Sequence, residues 1–109
     1  MLGINVTITR YISDDPQPGI VECQMIDARG RCWSFIDKVP IFSAAWLDAK
    51  SSYPQLGFIA CQIVERRNDA NGREIVTIDT ELPWHVESTT GEVRFDVHAE
   101  ELTEWTSSN

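Results

Sequence analysis

A mainly β fold is what the sequence predicts: a small antiparallel barrel or tight sandwich of SH3-like or OB-like size. Three observations predict it. Apolar residues alternate with a period of two along most of the chain, turn-forming clusters interrupt that alternation at short intervals, and few stretches carry a helical period. Six or seven strands with one or two short helical turns are expected. A single domain over 1–109 follows from the length, together with 42% hydrophobic and 24% charged residues, because a chain of this size builds one core.

The first strand is "INVTITRYI", with Ile4, Val6 and Ile8 on one side. "DDPQPG" (14–19) supplies proline and glycine for a reversal, and "IVECQMI" follows with Val21, Cys23 and Met25 on one face. "DARGR" (27–31) reads as a hairpin tip in which the aspartate accepts amide hydrogen bonds and the glycine takes a left-handed conformation. Asp27 opposite Arg31 sets Met25 beside Trp33 and Cys23 beside Phe35, a continuous apolar face along "RCWSFIDKV".

In "IFSAAWLDAKSSYPQLG" (41–57), Ser43 is placed to cap a short helix over 44–48, ended by Pro54 and Gly57. "FIACQIV" is apolar on both faces, which predicts a central strand covered on both sides. "DANGR" (69–73) repeats the hairpin spelling and sets Val64 beside Ile78 and Arg66 beside Val76. The flanks of the two tips do not match, so the likeness is turn chemistry rather than duplication. In "ESTTGEV" the tightest turn centres on Thr90-Gly91. Extended backwards, that register pairs Val86 with Phe95, Trp84 with Val97, Glu87 with Arg94 and His85 with Asp96, and sets His98 opposite Pro83. In "AEELTEW", Leu102 and Trp105 are three apart, as in a terminal helical turn, and 106–109 is expected to fray.

Net charge is −8 and unevenly distributed. Up to Arg73 eight acidic side chains balance eight basic ones; from Glu74 onward nine acids face one base, Arg94. Such a surface repels phosphate, which argues against direct contact with nucleic acid or an anionic membrane, and it attracts a basic protein. The N-terminus lacks a basic start followed by a long apolar run, so neither a signal peptide nor a membrane span is expected. Cys23, Cys32 and Cys61 are odd in number and widely spaced, which fits buried or half-buried reduced thiols and a cytoplasmic location.

Function is read from these surfaces. The leading expectation is a non-enzymatic module that engages a basic partner, as immunity or inhibitor proteins do on electrostatic grounds, through Glu87, Glu92, Glu100, Glu101, Glu104 and Trp105. A second reading takes His85, Asp96 and His98 as metal ligands or as acid and base of a hydrolase, with Asp79 and Glu81 as a further carboxylate pair. The reading preferred for these residues is the solvated, charged outer face of paired strands. A third reading is a structural subunit or homodimeric accessory domain that associates through Trp46 and Tyr53. No nucleophile elbow, phosphate loop or dinucleotide fingerprint occurs, so no catalytic residue is assigned and no cofactor is expected.

Overall fold

The computed structural model describes residues 1–104. The strands are β1 (Leu2–Ser13), β2 (Ile20–Ile26), β3 (Cys32–Lys38), β4 (Gln55–Ala60), β5 (Gln62–Asn68), β6 (Glu74–Asp79), β7 (Arg94–His98) and β8 (Leu102–Glu104). One helical turn, α1 (Val39–Phe42), follows β3, and a 3-10 turn (Ala99–Glu101) precedes β8. All pairings are antiparallel. One sheet runs β3-β2-β1-β4, with β8 also on β1, and a second runs β5-β6-β7. The mainly β expectation holds. The barrel does not: both sheets are open, and eight short strands are shared between them.

One apolar core joins the sheets. Ile4, Val6 and Ile8 of β1, Cys23 of β2 and Phe35 of β3 meet Val76 and Ile78 of β6 and Phe95 and Val97 of β7, none more than 3% exposed. The period-two pattern read from the sequence is the side-chain alternation of these strands, one face in the core and the other in water. Across the sheets, Phe95 packs edge-on against both Trp33 (centroids 5.1 Å) and Phe35 (5.6 Å). That geometry suits aromatic quadrupoles.

The two aspartate-glycine tips form as the sequence requires. Asp27 Oδ1 accepts from the Arg29 and Arg31 amides at 2.9 Å each, and Asp69 Oδ1 from Asn71 (2.8 Å) and Arg73 (2.9 Å). Gly30 and Gly72 take φ 82° and 80°, the left-handed region closed to most side chains. Met25 pairs with Trp33, Cys23 with Phe35 and Arg66 with Val76. Ile78, however, pairs with Ile63, because a bulge between Ile63 and Glu65 leaves Val64 exposed and shifts the register by one.

Three expectations are corrected. The run 55–68 is not one central strand. It breaks at Cys61, whose amide donates to Leu2 O, and its halves become the edge strands β4 and β5 of different sheets. It reads apolar on both faces because Ile59, Ala60 and Cys61 lie at the corner, where both sides turn inward.

The helical turn lies at 39–42 rather than 44–48. Pro40 sits in its first turn, where no amide donor is needed. Ser43 ends this turn, its amide donating to Val39 O and its Oγ accepting from Ala45 N. At the C-terminus, a single 3-10 turn leads into β8, which pairs Leu102 with Ile4 and Glu104 with Leu2. Trp105 and the tail 106–109 lie outside the described residues.

Candidate functional site: the link between β6 and β7

The acidic stretch does not form the expected hairpin. β7 pairs with β6 instead, setting Ile75 opposite His98, Thr77 opposite Asp96, Ile78 opposite Phe95 and Asp79 opposite Arg94. Apolar Val76 and Ile78 offer Phe95 and Val97 a better inner face than "PWHVES" does. Residues 80–93 are thereby left as a long link, and its tight turn is one residue off the expected register. Ser88 N donates to Glu92 O, Gly91 N donates to Ser88 O, and Ser88 Oγ accepts from the amides of Thr90 and Glu92.

The link is braced from inside by Thr80, which is fully buried. Its hydroxyl is shared between Val86 O and Val93 O, its amide donates to Val93 O, and Val86 N donates to Thr80 O. Val86 drops into the core at 1% exposure, and Thr89 N donates to Ser34 O on the outer edge of β3. The link is thus fastened to both sheets; Ser88 is also buried, and the side chains of 81–85, Glu87 and 89–92 are exposed. Leu82 is 56% and Trp84 40% exposed, and Glu81, Glu87 and Glu92 are exposed around them. His85 adopts φ 49°, an uncommon conformation for a residue with a side chain. Its ring nitrogens stand 3.9 Å from Glu81 and 3.6 Å from Glu87.

Much of the remaining acidic charge is matched by cations. Arg66 pairs with Glu74 (3.3 Å), Arg94 with Asp79 (3.0 Å), and Arg73 with Glu100; the N-terminal ammonium meets Glu104 (3.0 Å). Asp96 is held by Arg67 (2.8 Å), with Arg29 at 3.9 Å. Solvent-exposed pairs of this kind add little to stability, yet each offsets the local negative field. Apart from Arg94 of β7, the arginines (Arg29, Arg66, Arg67 and Arg73) come from the β2–β3 tip, β5 and the β5–β6 tip, which precede the acidic third in the chain. Sequence position alone could not show this. Among the described residues, Glu81, Glu87, Glu92 and Glu101 make no ion pair with arginine or lysine.

Of the sequence-predicted partner-binding residues, Glu87, Glu92 and Glu101 keep an uncompensated exposed charge, and Glu100 and Glu104 are engaged as above. Leu82 and Trp84 were missed, because the hairpin register turned Trp84 into the core. The signal that could have found them is Pro83, which disfavours a paired strand through 84–87.

His85, Asp96 and His98 are not brought together as one face. His85 belongs to the link and stands beside two glutamates. Asp96 lies on β7, and its carboxylate accepts from Thr77 Oγ1 (2.6 Å) and Arg67. His98 is beside Ile75, with Nδ1 buried and unpartnered. No group of three His, Cys, Asp or Glu side chains among the described residues is arranged to hold a metal ion. Asp79 accepts from the Arg94 guanidinium (3.0 Å) and from the Glu81 amide (2.7 Å).

The hydrogen bond from Thr77, opposed by partial burial and reinforced by Arg67, holds the Asp96 carboxyl below the usual carboxylate range. The sign follows. A folded-state pKa below the unfolded value near 3.9 stabilises the fold above that value and is lost as pH falls through the folded one. Asp96→Asn is therefore expected to flatten the acid limb of the stability curve below about pH 4 while leaving its shape near neutrality unchanged. Urea midpoints recorded along a pH series check this, and an unaltered acid limb would refute it.

All three cysteines are free. Cys23 and Cys61 are buried, and burial pushes both thiols up, Cys61 to about 11, which makes them poor nucleophiles. Cys32, expected to be at least half-buried, is exposed on the outer face of β3. No helix among the described residues is long and apolar enough to cross a membrane. Comparison with protein families, curated proteins and solved structures returns no match.

Proposed function

We propose that the chain is a non-enzymatic protein-binding module, a tight two-layer sandwich that presents the 80–93 link to a basic protein surface in the manner of an immunity or inhibitor protein. One observation carries the reading. A loop fastened at Thr80, Val86 and Thr89 holds exposed Leu82 and Trp84 among Glu81, Glu87 and Glu92, and among the described residues no arginine or lysine is paired with these three acids. Charge complementarity accelerates encounter, and a desolvated tryptophan slows dissociation. Preorganisation lowers the ordering cost of binding. Free thiols fit a reducing compartment such as the cytoplasm.

The test compares wild type with Glu81→Gln/Glu87→Gln/Glu92→Gln and with Trp84→Ala. Basic proteins are captured from the native lysate at low salt, and binding of the recovered partner is then measured by surface plasmon resonance. The triple variant should associate about tenfold more slowly at low salt, and the difference should shrink as salt rises. Trp84→Ala should cost about 2 kcal/mol, a roughly 30-fold loss of affinity that resides in dissociation. Glu100→Gln and Glu104→Gln should change little. Binding that is indifferent to both link variants would dismiss the reading.

A further inference from the structure

The β2–β3 tip meets the outer edge of β7, Ala28 N donating to Asp96 O at 2.8 Å, and a cleft of about 180 Å³ opens at this junction. Asp27, Arg29 and Trp33 line it from the first sheet, and Thr77, Arg94, Phe95 and Asp96 from the second. A cavity of about 150 Å³ takes benzene, so this one has the capacity for a single small molecule.

Both signs of charge stand in the lining itself, with bonding capacity unspent. Asp27 Oδ1 takes two amides, whereas Oδ2 accepts only from the Trp33 indole (2.9 Å). Asp96 has one hydrogen-bond donor on each oxygen, Thr77 on Oδ1 and Arg67 on Oδ2. A carboxylate offers about four acceptor places, so each of the two can still receive a donor. Burial pushes the Asp27 carboxyl up, but the Trp33 indole and the Arg31 and Arg29 amides outweigh it and hold it, like Asp96, below the usual carboxylate range. On the cationic side, the Arg29 guanidinium makes no hydrogen bond among the described residues and stands 3.9 Å from Asp96 Oδ2. Arg94 spends Nε on Asp79 (3.0 Å) and keeps its terminal amino groups for another acceptor.

An anion alone would meet two carboxylates in this cleft, and a cation alone two guanidinium groups. A purely apolar molecule would take water from all four charges and replace none of it. A small zwitterion with an apolar body answers the whole lining. We propose that the cleft binds a free α-amino acid with an apolar side chain: Asp27 and Asp96 hold its ammonium, Arg29 and Arg94 its carboxylate, and Trp33 and Phe95 form the wall for its side chain.

Titration of the isotope-labelled protein with L-leucine, followed in two-dimensional NMR spectra, tests this. The Trp33 indole N–H and the Ala28 and Arg29 amides should shift saturably, with a Kd of about 0.1–1 mM for so small a ligand in a cleft open to water. N-acetyl-leucine lacks the ammonium and leucine amide lacks the carboxylate, and each should bind at least about tenfold more weakly. Arg29→Gln should weaken leucine at least about fivefold and leave leucine amide unaffected; Asp96→Asn should weaken leucine by a similar factor and leave N-acetyl-leucine unaffected. The Arg29 side chain is 82% exposed, so its variant keeps the fold, which the dispersion of the spectra verifies. Absence of a saturable shift up to about 10 mM leucine overturns the proposal. Equal binding of either derivative does so too, as does wild-type affinity for leucine in Arg29→Gln. Binding through the 80–93 link is read separately, because neither substitution lies in it.

Discussion

Phe35→Ala should destabilise the fold by about 3–5 kcal/mol, a large part of the roughly 5–15 kcal/mol available to a domain of this size. Phe35 is fully buried and sits on β3 opposite Cys23, with its ring edge-on to Phe95 of the other sheet. The same Phe95 ring meets Trp33 on its other contact, so these three rings are the aromatic bridge between the sheets. Truncation removes transfer free energy and leaves a cavity that two sheets, each held by its own ladder, cannot easily close. Urea denaturation followed by tryptophan fluorescence reads the loss. Ile36→Ala is the control: one residue along the strand, Ile36 lies on the opposite face at 46% exposure, and its truncation should cost well under about 1 kcal/mol. Equal midpoints for the two variants would mean that the sheets do not depend on this cluster.

Thr80→Val is expected to cost about 2–3 kcal/mol although it barely changes volume. It removes the donor shared by Val86 O and Val93 O, and the Val86 carbonyl is left without that partner next to the core. Under the proposed function the consequence reaches binding, since Thr80 braces the link that carries Leu82, Trp84, Glu81, Glu87 and Glu92. Limited proteolysis should cut the variant within 81–93 faster than wild type, and association with the basic partner should weaken in parallel. Thr80→Ser keeps the hydroxyl and should restore most of the protection. A valine variant as resistant as wild type would show that Val86 and the Thr89–Ser34 bond are sufficient to hold the link.

The parts legible in the sequence are those governed by local chemistry. Alternation located the strands, and the two aspartate-glycine tips fixed the Met25–Trp33 and Cys23–Phe35 register, because an aspartate that accepts two amides admits only one closure of the turn. Residues that depend on distant partners were less legible. The β6–β7 pairing sets Phe95 beside Ile78 across a gap of many residues, and the nearer candidate, Val86, satisfied the same alternation. Once that choice changed, Trp84 moved outward and His85 left Asp96. Likewise, Arg67 and Asp96 meet because two hairpins converge, and nothing in either local sequence marks the other. The acidic third is less acidic in space than along the chain: arginines pair with Glu74, Asp79, Asp96 and Glu100, and among the described residues Glu81, Glu87 and Glu92 of the link and Glu101 of the 3-10 turn are left without an arginine or lysine.

The corner at Cys61 ties the two layers by one stretch of backbone, since β4 closes an edge of one sheet and β5 an edge of the other with a single residue between them. Pulling either layer apart strips a border from its neighbour, so opening is a shared event rather than two separate ones. A scaffold of this kind is expected to have no loosely held half to shed, so urea unfolding should be a single transition in which both layers are lost together.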